Sequence, residues 1–260
     1  MRYAALIVSI IFIAGCGAKN EGAATQTPGT SRVSAPAPAG TKSVDPATAG
    51  AVKGKILFEG TAPEPKQISV KGNPECTALH REGMIASEEL VVRNDVLQTV
   101  FVYVKQGLED YTFPPPGEAH VIENRQCMYV PHVSGAMVGQ QVTFLNQDST
   151  LHNIHSYPTN LKAFNFGLPL AGMKQTKKFE SSEVMVPLKC DVHPWMQGYL
   201  SILPHPYFQV SAPDGTFELK NLPAGDYVVE AWHEKLGAQT QSVKLAANET
   251  KKIEFKFTTS

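Results

Sequence analysis

From residue 51 onward the chain is divided into short runs of alternating apolar and polar residues, separated by Gly, Pro, Asn and Asp. Alternation with a period of two is typical of β-strands with one buried face, and the separating residues favour turns. Short strands at this spacing indicate β-sandwiches, so we predict an all-β fold. One stretch, PECTALHREGMIASEEL, is compatible with a helix, although Gly83 lowers its helix propensity. The predicted strands are AVKGKILFEG, QQVTFLNQD, MVPLKC, YLSIL, DYVVEAW and KKIEFKF.

The first residues have the pattern of a bacterial export signal. In MRYAALIVSIIFIAGCG, Arg2 precedes an apolar core too short to span a bilayer, which is typical of a secretory signal peptide over residues 1–15. The end of this core, IAGC, resembles the lipobox of bacterial lipoproteins. The resemblance implies that Cys16 is acylated, and Gly17 in place of Asp implies an outer membrane location facing the periplasm. An ordinary signal peptide with a chance cysteine is the alternative.

Residues 16–50 are rich in Ala, Gly, Pro, Ser and Thr and nearly free of large apolar residues. A segment of this composition cannot build a core, so we predict a disordered tether between the lipid and the folded part. The formal net charge of the chain is −1, which leaves no basic excess to neutralise phosphates. We therefore expect no nucleic-acid partner, but we do expect a membrane contact through the N-terminal lipid.

One loop combines three residue types that bind soft metals. In LKCDVHPWMQGYL, Cys190, His193 and Met196 follow one another at intervals of three residues, directly after a strand-like run. A turn of this length can aim the three side chains at one point, and a further imidazole must then come from another strand. FLNQDSTLHNIH offers His152 and His155, but side chains three residues apart in a strand point to opposite faces. Only one of the two histidines can therefore face the metal.

The chemistry of this donor set indicates the metal. One thiolate, two imidazoles and a distant thioether define an electron-transfer copper site, because sulfur stabilises Cu(I) and imidazole serves both oxidation states. Zinc is the rival metal, but structural zinc sites favour more thiolates or histidines and rarely contain a thioether. The sequence therefore predicts one mononuclear type 1 copper.

The segments LHNIH and CDVHPWM together resemble the ligand segments of cupredoxins, the small blue copper proteins related to plastocyanin. The Cys-x-x-His-x-x-Met loop is most similar to that of amicyanins. The resemblance implies a cupredoxin-like Greek-key β-sandwich over residues 112–205 that carries single electrons. It also implies that His152, Cys190, His193 and Met196 are the copper ligands.

Residues next to these ligands have predicted supporting roles. We expect Asn153 to brace the ligand loop without binding the metal. Pro194 and Trp195 are predicted to form an apolar rim around a partly exposed His193. Redox proteins would dock at this patch through a small, transient interface. Packing of Trp195 in the core is the alternative.

The remaining β-rich segments resemble a second family. GTFELKNLPAGDYVVEAWHEKLG and AVKGKILFEGTAP are similar to the last and first strands of carboxypeptidase regulatory-like domains, which are prealbumin-like sandwiches. The resemblance implies that residues 51–111 with 206–260 form a second β-sandwich, into which the copper domain is inserted. In the alternative, residues 51–203 form one cupredoxin unit and residues 204–260 a separate small sandwich.

The exported cysteines need a separate explanation. Cys76, Cys127 and Cys190 would face an oxidising compartment, where three thiols cannot all pair within one chain. With Cys190 assigned to copper, a disulfide between Cys76 and Cys127 is the favoured interpretation. In the alternative, Cys76 and Cys127 join His80 and His132 in a second metal site.

These features together predict a membrane-tethered copper protein that carries single electrons between exported redox partners and is not an enzyme. A copper nitrite reductase, for example, would need a further histidine copper site, for which the sequence has no linked motif. Two alternatives stay open. One is copper storage or delivery, although such sites are usually clusters rich in Met or His. The other is a non-redox module that binds a protein or a carbohydrate.

Overall fold

The computed structural model describes residues 41–259. The signal peptide, Cys16 and the tether as far as residue 40 lie outside the described residues, so the predictions made for them stay predictions. The last residues of the predicted tether are held against the folded part, because Lys42 forms backbone hydrogen bonds and a 2.7 Å ion pair with Asp110. Within residues 41–259, no helix is long and apolar enough to cross a membrane.

The regular secondary structure of the described chain is almost entirely β-strand, which confirms the predicted all-β class. The stretch considered as a helix forms only α1 (Pro74–Leu79), one 3-10 turn (Arg81–Gly83) and a strand. Asn73 caps α1 and a proline begins it, and both residues are favoured at these positions. The strands are β1 (Gly50–Glu59), β2 (Gln67–Ser69), β3 (Met84–Ala86), β4 (Val92–Arg93), β5 (Val96–Leu97), β6 (Phe101–Gln106), β7 (His120–Arg125), β8 (Met128–Val130), β9 (Val133–Met137), β10 (Gln141–Asn146), β11 (His152–Ser156), β12 (Asn165–Leu168), β13 (Lys174–Lys178), β14 (Glu183–Lys189), β15 (Gln197–Leu203), β16 (Phe208–Val210), β17 (Thr216–Leu222), β18 (Gly225–His233), β19 (Gly237–Leu245) and β20 (Thr250–Thr258).

Four sheets pair into two β-sandwiches. Sandwich I consists of the sheet β17-β1-β5-β4, which β20 joins alongside β1, and the sheet β16-β6-β18-β19. Sandwich II consists of the sheets β13-β10-β7-β8 and β12-β11-β14-β15-β9. The alternation seen in the sequence is the cause of this layering: β10, for example, buries Val142 and Phe144 and turns Gln141 outward.

Each sandwich has its own hydrophobic core. The core of sandwich I contains Phe217 and Phe255, and the core of sandwich II contains Phe144 and Leu188. A smaller apolar cluster joins side chains from both sandwiches. Its buried members are Phe101, Tyr103, Val133, Met185 and Leu203.

The strands of sandwich I lie on both sides of sandwich II in the sequence, before β7 and after β15. Residues 67–86, here called the capping segment, comprise β2, α1 and β3. Val70, Cys76 and Ile85 of this segment are buried in the core of sandwich II, although the resemblance assigned residues 51–111 to the other sandwich. The domain limits and the prealbumin-like identity of sandwich I stay predictions.

Candidate metal centre

The candidate site lies at one end of sandwich II, where two antiparallel strands bring their ligand segments together. β11 begins at His152, and β14 ends at Lys189, immediately before Cys190. His155 pairs with Lys189 in the register of these strands. The start of β11 and the loop that follows β14 are therefore at the same end of the sheet.

The loop between β14 and β15 closes tightly through its own backbone. The amide of Cys190 donates to the carbonyl of Met196 at 3.2 Å, and the amide of Met196 donates to the carbonyl of His193 at 2.9 Å. These two hydrogen bonds fold the loop back on itself, so the three side chains can converge.

Three of the four predicted ligands present their donor atoms to one another. Nδ1 of His152 lies 3.0 Å from Nδ1 of His193, and Sγ of Cys190 lies 3.7 Å from the same nitrogen. One donor atom of each residue lies within 4.8 Å of the other two, and all three residues are buried. Met196 is 1% exposed and belongs to the same hydrophobic cluster as Cys190. The arrangement leaves the donors close enough to bind one ion.

The surroundings of Cys190 favour its metal-binding form. It is the free cysteine among residues 41–259. Burial alone would raise the pKa of the Cys190 thiol, but hydrogen bonds with His152 and His193 outweigh this effect and lower the pKa to about 6. The thiolate is the form that binds metals, so this environment favours metal binding by the sulfur.

Asn153 connects the two ligand segments. Its Oδ1 accepts a hydrogen bond from the amide of Asp191 at 2.7 Å and lies 3.3 Å from Sγ of Cys190. His155 lies outside the group. Its ring contacts the Asp191 carboxylate at 3.0 Å, and its side chain is 31% exposed. The structure therefore places His152, and not His155, beside the other predicted ligands.

Asp148 supports His152 from outside the site and was not identified from the sequence. Its Oδ2 lies 2.9 Å from Nε2 of His152, and its carboxylate accepts from the amides of Gln126 and Cys127, both at 2.8 Å. Burial would raise the pKa of Asp148, but these hydrogen bonds outweigh it and lower the pKa. The position of Asp148, four residues before His152 in the NQD turn, was a signal in the sequence.

Cys76 and Cys127 form a disulfide, the pairing that the sequence favoured. The alternative metal site is not assembled, because its two sulfurs are bonded to each other and its two histidines contact other groups. The ring of His80 lies 2.7 Å from the carbonyl of Gln126. His132 contacts the carboxylate of Glu234 in sandwich I.

His193 is fully buried, whereas the sequence led us to expect a partly exposed ring. The capping segment is the reason. The side-chain nitrogen of Asn73, Nδ2, lies 2.9 Å from Nε2 of His193. The other ring nitrogen of His193, Nδ1, is the one that faces His152. On another side the Trp195 ring lies at a tilt with its centroid 5.1 Å from that of His193, and its Nε1 donates to the carbonyl of Cys127. Asn73 is 120 residues from His193, so no local pattern in the sequence indicated this contact.

The residues present fit a soft, redox-active metal. A thiolate-prone sulfur and two imidazole nitrogens face one another in a buried position, and a thioether residue is packed beside them. This donor set suits copper, and its single thiolate is fewer than structural zinc sites usually have.

Comparison with known proteins finds a likeness over part of the chain. No protein-family model matches it, and no curated protein matches it. Among solved structures, a variant of amicyanin in its Cu(I) form is 22% identical, with a TM-score of 0.29 over 32% of this chain and 81% of that chain. A purple cupredoxin from Nitrosopumilus maritimus is 30% identical, with a TM-score of 0.28 over 32% of this chain and 98% of that chain. The likeness is limited to about a third of the chain.

Proposed function

We propose that this chain is an exported electron carrier with one mononuclear type 1 copper, held by His152, Cys190, His193 and Met196. The observation that carries the proposal is the group of three buried donor atoms within 4.8 Å of one another, supplied by two separate segments of sandwich II. A copper ion bound there would supply one-electron chemistry by alternating between Cu(I) and Cu(II).

The surrounding residues hold the donors and exclude water. Asn153 fixes the start of the ligand loop, and the hydrogen bond between the backbones of Cys190 and Met196 fixes its two ends. Burial of His152 and His193 keeps solvent from the donors. Donors fixed in this way keep one geometry, so the structural change that accompanies electron transfer stays small.

We place the docking surface for a redox partner on the outer side of the ligand loop. Val192 is 42% exposed, Pro194 is exposed, and Trp195 is partly buried with its ring against His193. These apolar groups suit the small and transient contacts of electron-transfer complexes. The proposed surface is thus centred on Trp195, because the ring of His193 is covered.

We further propose that a lipid on Cys16 tethers the protein to the outer membrane, facing the periplasm, and that the protein carries out no substrate chemistry of its own. The pattern IAGC supports the first part. The mass of the mature N-terminal peptide tests it, since acylation adds the mass of the fatty acids. A Cys16→Ser chain is expected to leave the membrane fraction, and a chain that stays there would contradict the anchor.

The copper proposal is tested by loading the detergent-solubilised full chain with Cu(II) and recording its visible spectrum. We expect an intense band from charge transfer between sulfur and copper, which bleaches on reduction. Cys190→Ser is expected to abolish the band, because the hydroxyl cannot replace the thiolate. His155→Ala is the matched control and is expected to keep it, since His155 lies outside the donor group.

Two results would contradict this proposal. One is a chain that binds copper tightly without the band. The other is a band that survives in Cys190→Ser, since the sulfur would then come from another residue.

A further inference from the structure

The two imidazoles of the candidate site are both held from outside, and the two supports are connected through a hydrogen bond and a disulfide. Nε2 of His152 contacts Asp148, which also accepts from the amide of Cys127. Cys127 is bonded to Cys76 in α1, and the residue that caps α1 contacts Nε2 of His193. The disulfide therefore lies between the two supports.

The side chain of Asn73 has its orientation set at both ends. Its Oδ1 accepts from the amide of Cys76 at 2.9 Å, which is the capping hydrogen bond of α1. Its amide nitrogen then faces Nε2 of His193 at 2.9 Å. Because Oδ1 accepts the capping hydrogen bond of the helix, Nδ2 is directed at the imidazole of His193.

The backbone around Asn73 is also held in place. Thr77 Oγ1 donates to the carbonyls of Val70 and Asn73, at 2.9 and 2.8 Å. The sulfur atoms of Cys76 and Cys127 both lie within 4.8 Å of a ring nitrogen of His193. The disulfide thus fastens the helix directly beside the imidazole that the helix covers.

We propose that Asn73 is a positioning residue for His193, and that the disulfide between Cys76 and Cys127 keeps it in place. The capping segment covers the imidazole and fixes the rotation of its ring, because the side-chain amide of Asn73 donates to Nε2. Nδ1 of neutral His193 then carries the ring proton in the copper-free chain and faces Nδ1 of His152, and a metal bound at Nδ1 would have to displace that proton. This inference rests on the proposed role of His193 as a copper ligand. It assigns a function to a segment that contributes no ligand of its own.

Three substitutions at one position separate the two contacts of Asn73. Asn73→Asp keeps an acceptor for the helix and still covers the imidazole, but with a carboxylate oxygen that accepts where the Asn73 amide donates. Asn73→Ser keeps a good helix cap but is too short to reach His193. Asn73→Ala removes both contacts. Leu79→Ala, on the exposed side of the same helix, is the matched control.

The main measurement is deuterium exchange at the C2 carbon of each histidine in the copper-free full chain, read by mass spectrometry. We expect several-fold faster exchange at His193 in Asn73→Ser and Asn73→Ala, with His152 unchanged. Asn73→Asp and Leu79→Ala are expected to keep the protection of His193. In the copper-loaded chain, the visible band is expected to shift in Asn73→Ser and to stay in place in Leu79→Ala.

The disulfide is tested in the same way. Cys76→Ser combined with Cys127→Ser is expected to expose His193 as Asn73→Ser does. If this variant does not fold, reduction of the wild-type disulfide with a dithiol, followed by mass, gives the same comparison. Continued protection of His193 after the disulfide is lost would overturn its part in the proposal.

Two further outcomes would overturn the role of Asn73. One is unchanged exchange at His193 in Asn73→Ser. The other is equal acceleration at His152 and His193, which would mean a general loosening of the fold. Because the exchange measurement needs no copper, it decides this inference independently, whereas the band of the wild-type chain decides the copper proposal.

Discussion

The two imidazoles of the candidate site are supported in different ways. His152 is held by a carboxylate four residues earlier, in the turn between β10 and β11 of the same sandwich. His193 is held by a neutral amide 120 residues earlier, on a helix outside the strands of that sandwich. One support is local and charged, whereas the other is distant and neutral.

The two supports differ in how many groups they hold. The Asp148 carboxylate makes hydrogen bonds with the amides of Gln126 and Cys127 and with the ring of His152, so it fixes the β7–β8 turn as well as His152. Asn73 serves one helix amide and one imidazole. We therefore expect the Asp148 side to contribute more to folding, and the Asn73 side to act mainly on the ligand it covers.

The largest expected effect comes from the disulfide that links the two sides. Cys76 and Cys127 are 51 residues apart, and closing a loop of this length lowers the entropy of the unfolded chain enough to stabilise the fold by about 4 kcal/mol. We expect Cys76→Ser with Cys127→Ser to lower the unfolding free energy of the copper-free chain by about this amount. Denaturant unfolding measures it.

Leu79→Ala, on the exposed face of α1, is the control for that measurement and is expected to stay within about 0.5 kcal/mol of wild type. A loss of less than about 1 kcal/mol without the disulfide would contradict the view that it joins the two supports into one structure.

Asp148→Ala is expected to have the next largest effect. It removes the acceptor of the amides of Gln126 and Cys127 and of the His152 ring, and the carboxylate is nearly fully buried. A lost partner costs about 1 kcal/mol or more for each buried donor, so the unfolding free energy should fall by about 3 kcal/mol. Chemical denaturation of the copper-free chain is the measurement.

Asp214→Ala is the matched control, because Asp214 also accepts hydrogen bonds in a turn but is exposed. We expect it to cost less than about 1 kcal/mol. Equal losses in the two variants would show that burial of the Asp148 carboxylate adds nothing, and the asymmetry between the two imidazoles would lose its basis.

The same contrast explains which parts of the site could be predicted from the sequence. Period-two alternation predicted the strands, and the intervals between Cys190, His193 and Met196 predicted a convergent loop, because both are local patterns. Strand geometry showed that only one of His152 and His155 can face the metal, and the resemblance of LHNIH to cupredoxins selected His152. Even Asp148 had a local signal, its position shortly before His152.

The capping segment shows where prediction from the sequence ended. The stretch GNPEC contains a recognisable helix start, Asn73 followed by a proline, but nothing in it indicates what the free end of the asparagine contacts. The contact depends on how a distant segment packs on sandwich II. The favoured pairing of Cys76 with Cys127 was the one sequence clue that this segment comes near the site, and it did not identify His193.

The smallest expected effects concern Asn73 and measure the neutral side directly. Asn73→Ser keeps the cap of α1 and loses only the contact with His193, so it should lower the unfolding free energy by about 0.5–1 kcal/mol. Asn73→Ala also loses the cap, which adds about 1 kcal/mol. Both values come from denaturant unfolding of the copper-free chain, and both should stay below the loss for Asp148→Ala.

If Asn73→Ala instead costs as much as Asp148→Ala, a distant neutral contact stabilises the fold as strongly as a local charged one. The capping segment would then be part of the folding core of sandwich II, and its effect on His193 would be a consequence of that packing.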